Sequence, residues 1–89
     1  YVGADARIAL SVGQARGAAL VACAGAGIAA VEYAPAHVKR AVCGYGRADK
    51  AQVQRMVRLV LGIEVPNVHA SDALAVAICH ATAPRRAVA

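Results

Sequence analysis

The run Asn67-Val68-His69-Ala70-Ser71-Asp72-Ala73-Leu74-Ala75-Val76-Ala77-Ile78-Cys79-His80 decides how the chain is read, because it sets one carboxylate into a helix that is otherwise almost entirely apolar. From Ala73 to Cys79 every side chain is apolar, and a helix apolar on all faces is ordinarily buried. Asp72 then stands at the rim of a core, where an ionised carboxylate is costly unless it is paired, hydrogen-bonded or bound to a metal. His69 precedes it by three residues, so on a helix the two side chains share a face about one turn apart. Two readings follow. In one, Asp72 occupies the first turn, where free N–H groups and the macrodipole favour an anion, and His69 is a surface neighbour. In the other, imidazole and carboxylate converge on one cation or handle a proton together. Spacing alone leaves both open.

Composition bounds what surrounds that helix. At 89 residues the chain holds at most one small domain, of a size at which a core is marginal. Apolar residues make up 60% and charged residues 17%, with no Phe or Trp, so Ala, Val and Leu must do the packing between closely spaced helices. The net charge of +5 and pI near 9.6 favour a polyanionic partner, nucleic acid or an anionic membrane surface. Cys23, Cys43 and Cys79 are odd in number and far apart, which points away from a disulfide framework or zinc site and towards reduced, buried thiols in a cytoplasmic protein. The longest uncharged run, residues 17–31, covers 15 residues and falls short of the roughly 18 expected of a membrane span. No signal peptide is visible, and a first residue of Tyr in place of Met suggests a piece of a longer chain.

In chain order, residues 4–24 read as one helix with Ile8, Val12 and Ala15 on a core face. Ala9, Gly13 and Gly17 recur every fourth position, a stripe that suits close packing either against a second subunit or within the monomer. Gly25 and Gly27 end this helix. Residues 28–34 read as the one strand, running into Pro35, which forces extended geometry on the residue before it. A lone strand cannot satisfy its ladder hydrogen bonds, so its sheet is expected outside these residues or in another chain. Pro35 opens a short helix over residues 35–42. Asp49 and Gln52 form a capping-box pattern before the next helix, in which Val53, Met56, Val57, Val60 and Leu61 make the core stripe and Gly62 the stop. Lys50 breaks a local rule, since a cation in a first turn opposes the macrodipole. Residues 44–50, with Arg47 and Lys50, are therefore a candidate phosphate contact, against the alternative of a solvated basic turn.

These segments, taken together, resemble a known family. Gly13-Gln14-Ala15-Arg16-Gly17, Glu32-Tyr33-Ala34 with Val38-Lys39, Lys50-Ala51-Gln52-Val53-Gln54 with Met56-Val57-Arg58, and Asp72-Ala73-Leu74-Ala75-Val76-Ala77 with His80 occur in the order and spacing of RuvC, the bacterial Holliday junction resolvases, over essentially the whole chain.

The resemblance implies an α/β fold: residues 1–89 as a single partial domain, the C-terminal part of a ribonuclease H-like fold, mostly helical with one strand. It implies a cytoplasmic homodimer with no membrane association that hydrolyses two symmetric phosphodiesters of a four-way DNA junction. Mg²⁺ is the implied cofactor, two ions per active site, and branch-migration motor proteins are implied partners. Of the family's four active-site side chains, two fall upstream of Tyr1 and two match His69 and Asp72. That makes Asp72 a metal ligand and His69 a metal ligand or general base. Lys39 and Lys50 match the family's important basic residues, Tyr1 falls where an aromatic side chain stacks near the junction centre, and the first helix matches the one that pairs across the dimer. The alternative function is an inactive fragment that serves only as a basic DNA-binding or dimerising piece.

Overall fold

The computed structural model describes residues 2–84. Among the described residues four helices form in chain order, α1 (Val2–Gly25), α2 (Pro35–Cys43), α3 (Lys50–Leu61) and α4 (Val68–Thr82). They fall into two compact units that divide between Glu32 and Tyr33. No strand forms among the described residues, which corrects the expectation for residues 28–34. Ala34 is extended (φ −65°, ψ 146°), as the following proline requires. An extended segment becomes a strand only when its N–H and C=O groups meet a partner, and no described residue supplies one.

The first unit is a single long helix and its exit. At 24 residues, α1 is about 36 Å long. Gly27 takes a left-handed φ of +71° and closes the helix in a Schellman turn, with Ile28 N–H donating to Cys23 C=O at 2.9 Å and Gly27 N–H to Ala24 C=O at 3.2 Å. Arg16 pairs with Glu32, tying the exit segment back to the helix. Ile8 and Val12, expected on a core face, are 63% and 62% exposed, and Leu10 and Val21 are equally open. Apolar side chains are spread around the whole helix, so one face cannot be distinguished as core. The stretch Asp5–Gly25 is long and apolar enough to cross a membrane, further than the uncharged run suggested. Arg16 stands near its middle, however, where a guanidinium costs about 2.5–3.5 kcal/mol in a bilayer; a helix covered by protein suits this sequence better.

The second unit packs α2, α3 and α4 on one another. Its core is Val42, Ala48, Val53, Val57, Ala75 and Ile78, with Val38, Met56 and Leu74 packed at its edge. The capping box is present: the Asp49 carboxylate accepts from Gln52 N–H at 2.8 Å and Asp49 N–H donates to Gln52 Oε1 at 2.9 Å. Only part of the expected α3 stripe is covered, since Val60 and Leu61 at the helix end remain exposed. Likewise α4, expected to be buried all round, buries Ser71, Ala75, Ile78 and Cys79 along one face and leaves Ala73, Val76 and Ala77 open. Two short neighbours can shield only one side of it. Tyr33 fastens the start of the unit to its end: its hydroxyl lies 2.6 Å from His80 Nδ1, and its ring meets His37 edge-on at 5.3 Å.

One buried group is unfavourable. Ser71 is 3% exposed, and its hydroxyl has no partner among the described residues. Leaving such a group unpaired costs about 1–3 kcal/mol, and Ala is the better helix former. Ser71→Ala is expected to stabilise the chain by about 1 kcal/mol, read as a higher urea midpoint. Asp49→Ala is expected to lower the midpoint by a similar amount, because both halves of the capping box are lost.

Candidate functional site

Asn67 fixes where α4 starts. Its side chain accepts a hydrogen bond from Ala70 N–H at 2.8 Å, which makes Val68 the first helical residue and puts Asp72 in the second turn. The first-turn reading of Asp72 therefore falls, since the cap is already filled and the carboxylate lies beyond the strongest part of the macrodipole. Its partner is a side chain. Lys50 Nζ stands 3.1 Å from Asp72 Oδ2, so packing of α3 on α4 joins two residues that the sequence separates by 22 positions. Both side chains are open to water, at 62% and 48% exposure. An exposed pair of this kind stabilises the fold by about 0–1 kcal/mol, too little to explain the pair by stability. His69 is exposed on α4, a helical turn before Asp72 on the same face.

The other basic residues singled out in the sequence take no part in this pair. Gly44, with φ +89°, turns the chain out of α2, and Gly46 then lies against that helix. A Cβ on Gly46 would stand 3.4 Å from the Ala36 carbonyl oxygen and from an Arg40 guanidinium nitrogen. The exposed Arg40 side chain thus lies against the loop that leads to Lys50, a placement that sequence reading missed; only the second glycine of Gly44-Tyr45-Gly46 hinted at a close approach. The capping box occupies the Asp49 and Gln52 amides. Those two amides are thereby committed within the chain, and Arg47 and Lys50 are the exposed cationic side chains of residues 44–50. Lys39 is half-buried on α2 and Arg47 is exposed; neither takes part in a hydrogen bond or ion pair among the described residues. Tyr1 lies outside the described residues.

As a cation site the arrangement is partial. Among the described residues no group of three or more metal-binding side chains assembles, and His69 and Asp72 form only a pair. Asp72 Oδ1 has no hydrogen-bond partner among the described residues, so one carboxylate oxygen is available to a hard divalent ion, and such an ion prefers oxygen donors. The imidazole suits proton transfer at least as well as ligation of Mg²⁺. The donors fit one side of a divalent-ion site and need further oxygens to complete it.

Residues 1–80 match the family model of the crossover junction endodeoxyribonuclease RuvC. The chain belongs to the RuvC family. It is 60% identical over 87 residues to the RuvC of Chloroflexus aggregans, an alignment that takes in 94% of this chain and 53% of the relative. The RuvC of Coxiella burnetii is 56% identical over 78 residues, covering 86% of this chain and 45% of the relative. That of Parvibaculum lavamentivorans is 54% identical over 82 residues, with 91% and 47% covered. All three are named crossover junction endodeoxyribonucleases. The chain spans about half the length of the curated RuvC relatives it matches.

Proposed function

We propose that these residues form the C-terminal half of a RuvC resolvase domain with a ribonuclease H-like α/β fold, which resolves four-way DNA junctions in recombination and repair by divalent-metal-dependent hydrolysis. The observation that carries this reading is the meeting of Asp72 and Lys50 from two helices at a solvent-open rim, with His69 one turn away, in a basic chain of the RuvC family. The exposed apolar side chains of α1 and α4 support it from another side, since a sheet and a second subunit would give them cover. The enzyme would work as a cytoplasmic homodimer, with branch-migration motor proteins as its partners on DNA.

In this reading each side chain has a task. Asp72 is a ligand of Mg²⁺, and His69 either shares the ion or accepts the proton of the attacking water. Mg²⁺, two ions per site, supplies neutralisation of phosphate charge and stabilisation of the leaving oxygen. Lys39, Arg47 and Lys50 hold phosphates and set the register of the strand, and Tyr1 stacks near the junction centre.

A second reading concerns the 89 residues by themselves. The described residues bring together only two candidate ligands, which favours a chain that binds or dimerises without cutting.

Two measurements test these readings. In a full-length RuvC containing these residues, Asp72→Asn is expected to keep junction affinity while cleavage falls on the order of 100-fold or more, the several kcal/mol a misplaced metal ion would cost. Retained cleavage would remove Asp72 from the mechanism. The 89-residue chain, incubated with junction DNA and Mg²⁺, is expected to bind without cutting, and its log affinity should fall by about 0.9 per phosphate contact for each tenfold rise in salt. A flat salt response would contradict the phosphate role of Lys39, Arg47 and Lys50.

A further inference from the structure

Lys50 touches the carboxylate assigned to the metal, although its matched role is to hold phosphate. We propose that Lys50 is a displaceable counter-ion: its ammonium holds Asp72 Oδ2 and yields that oxygen to a divalent cation, which frees the ammonium to meet phosphate. The inference rests on the reading of Asp72 as a cation ligand and adds a coupling between the two binding events.

Four features of the structure support the exchange. The contact joins two helices whose spacing is set by buried residues, Val53 and Val57 on α3 and Ala75 and Ile78 on α4, so the two charges are held within reach of each other by the core. Both side chains are well exposed, and an exposed pair shifts an equilibrium by no more than about fivefold, weak enough for a divalent ion to displace. Lys50 is the first residue of α3, where the positive end of the macrodipole disfavours a cation and eases its departure once Asp72 is taken. Finally, the Asp49–Gln52 box already occupies two amides at that helix end, so a nearby phosphate would depend more on cationic side chains, to which the freed ammonium adds. A cation entering at Asp72 thereby prepares the same rim for the anion that must follow it.

The test is Mn²⁺ titration of an isotope-labelled full-length RuvC containing these residues, read as paramagnetic broadening of the amide signals of residues 69–72, with the rest of the spectrum reporting the fold of each variant. Lys50→Gln is expected to tighten Mn²⁺ binding about two- to fivefold at low salt. Arg47→Gln, which removes the same charge three residues earlier in the chain and has no contact with Asp72 among the described residues, is expected to give less than half that gain. Asp72→Asn should abolish the broadening. If Asp72→Asn leaves the broadening intact, the reading of Asp72 as a ligand is wrong. If Asp72→Asn abolishes it while Lys50→Gln leaves affinity unchanged or lower, or Arg47→Gln matches the Lys50→Gln gain, the counter-ion exchange is overturned and the ligand reading stands.

Discussion

The seam between α3 and α4 is the constraint on which the functional reading depends. Val57 is fully buried and Ala75 nearly so, and these two small side chains let the helices lie close enough for the head of α3 to reach the second turn of α4. Nothing in the local sequence of either helix would unite Lys50 with Asp72. Tertiary packing does so, and it brings opposite charges together at a place where their attraction contributes little to stability. The pair is a consequence of the packing and not a cause of it.

Much of the helical architecture was readable because local signals agreed. Asp49 with Gln52, Gly62 after Leu61, and Pro35 at a helix start each mark a boundary by a specific hydrogen bond or backbone angle, and the structure keeps all three. What was misread depended on partners that the local pattern does not name. Residues 28–34 have strand composition, yet a strand is a property of two segments. Val60, Leu61 and the outer side of α4 are apolar without being buried, since an apolar pattern states what a surface requires and not what covers it. Ile8 and Val12 on α1 show the same gap.

The candidate site was legible in a different way. His69 and Asp72 could be paired from helical spacing, and the departure of Lys50 from helix-end preference marked it as unusual. The contact between Lys50 and Asp72 could not be read, because it spans two helices and a turn. The position of Arg40 over Gly46 was equally hidden, since a close approach of side chain to backbone leaves only a glycine as its trace. Residue-by-residue likeness to RuvC pointed to the same side chains by another route, and the family match over residues 1–80 shows the family.

The core of the helical trio has a further bearing on how the rim behaves. It is built from Val, Ala and Ile, with no buried aromatic, and such side chains have few rotamers to choose among. A core of this kind has little means of absorbing a shift by re-sorting its side chains, as a Met- or Leu-rich interior can. Relative sliding of α3 and α4 would open gaps that the buried residues cannot fill, with only Met56 and Leu74 at the edge able to adapt. The long, exposed arm of Lys50 is the more mobile element, and an exchange of ions at the rim asks less of the core than of that side chain.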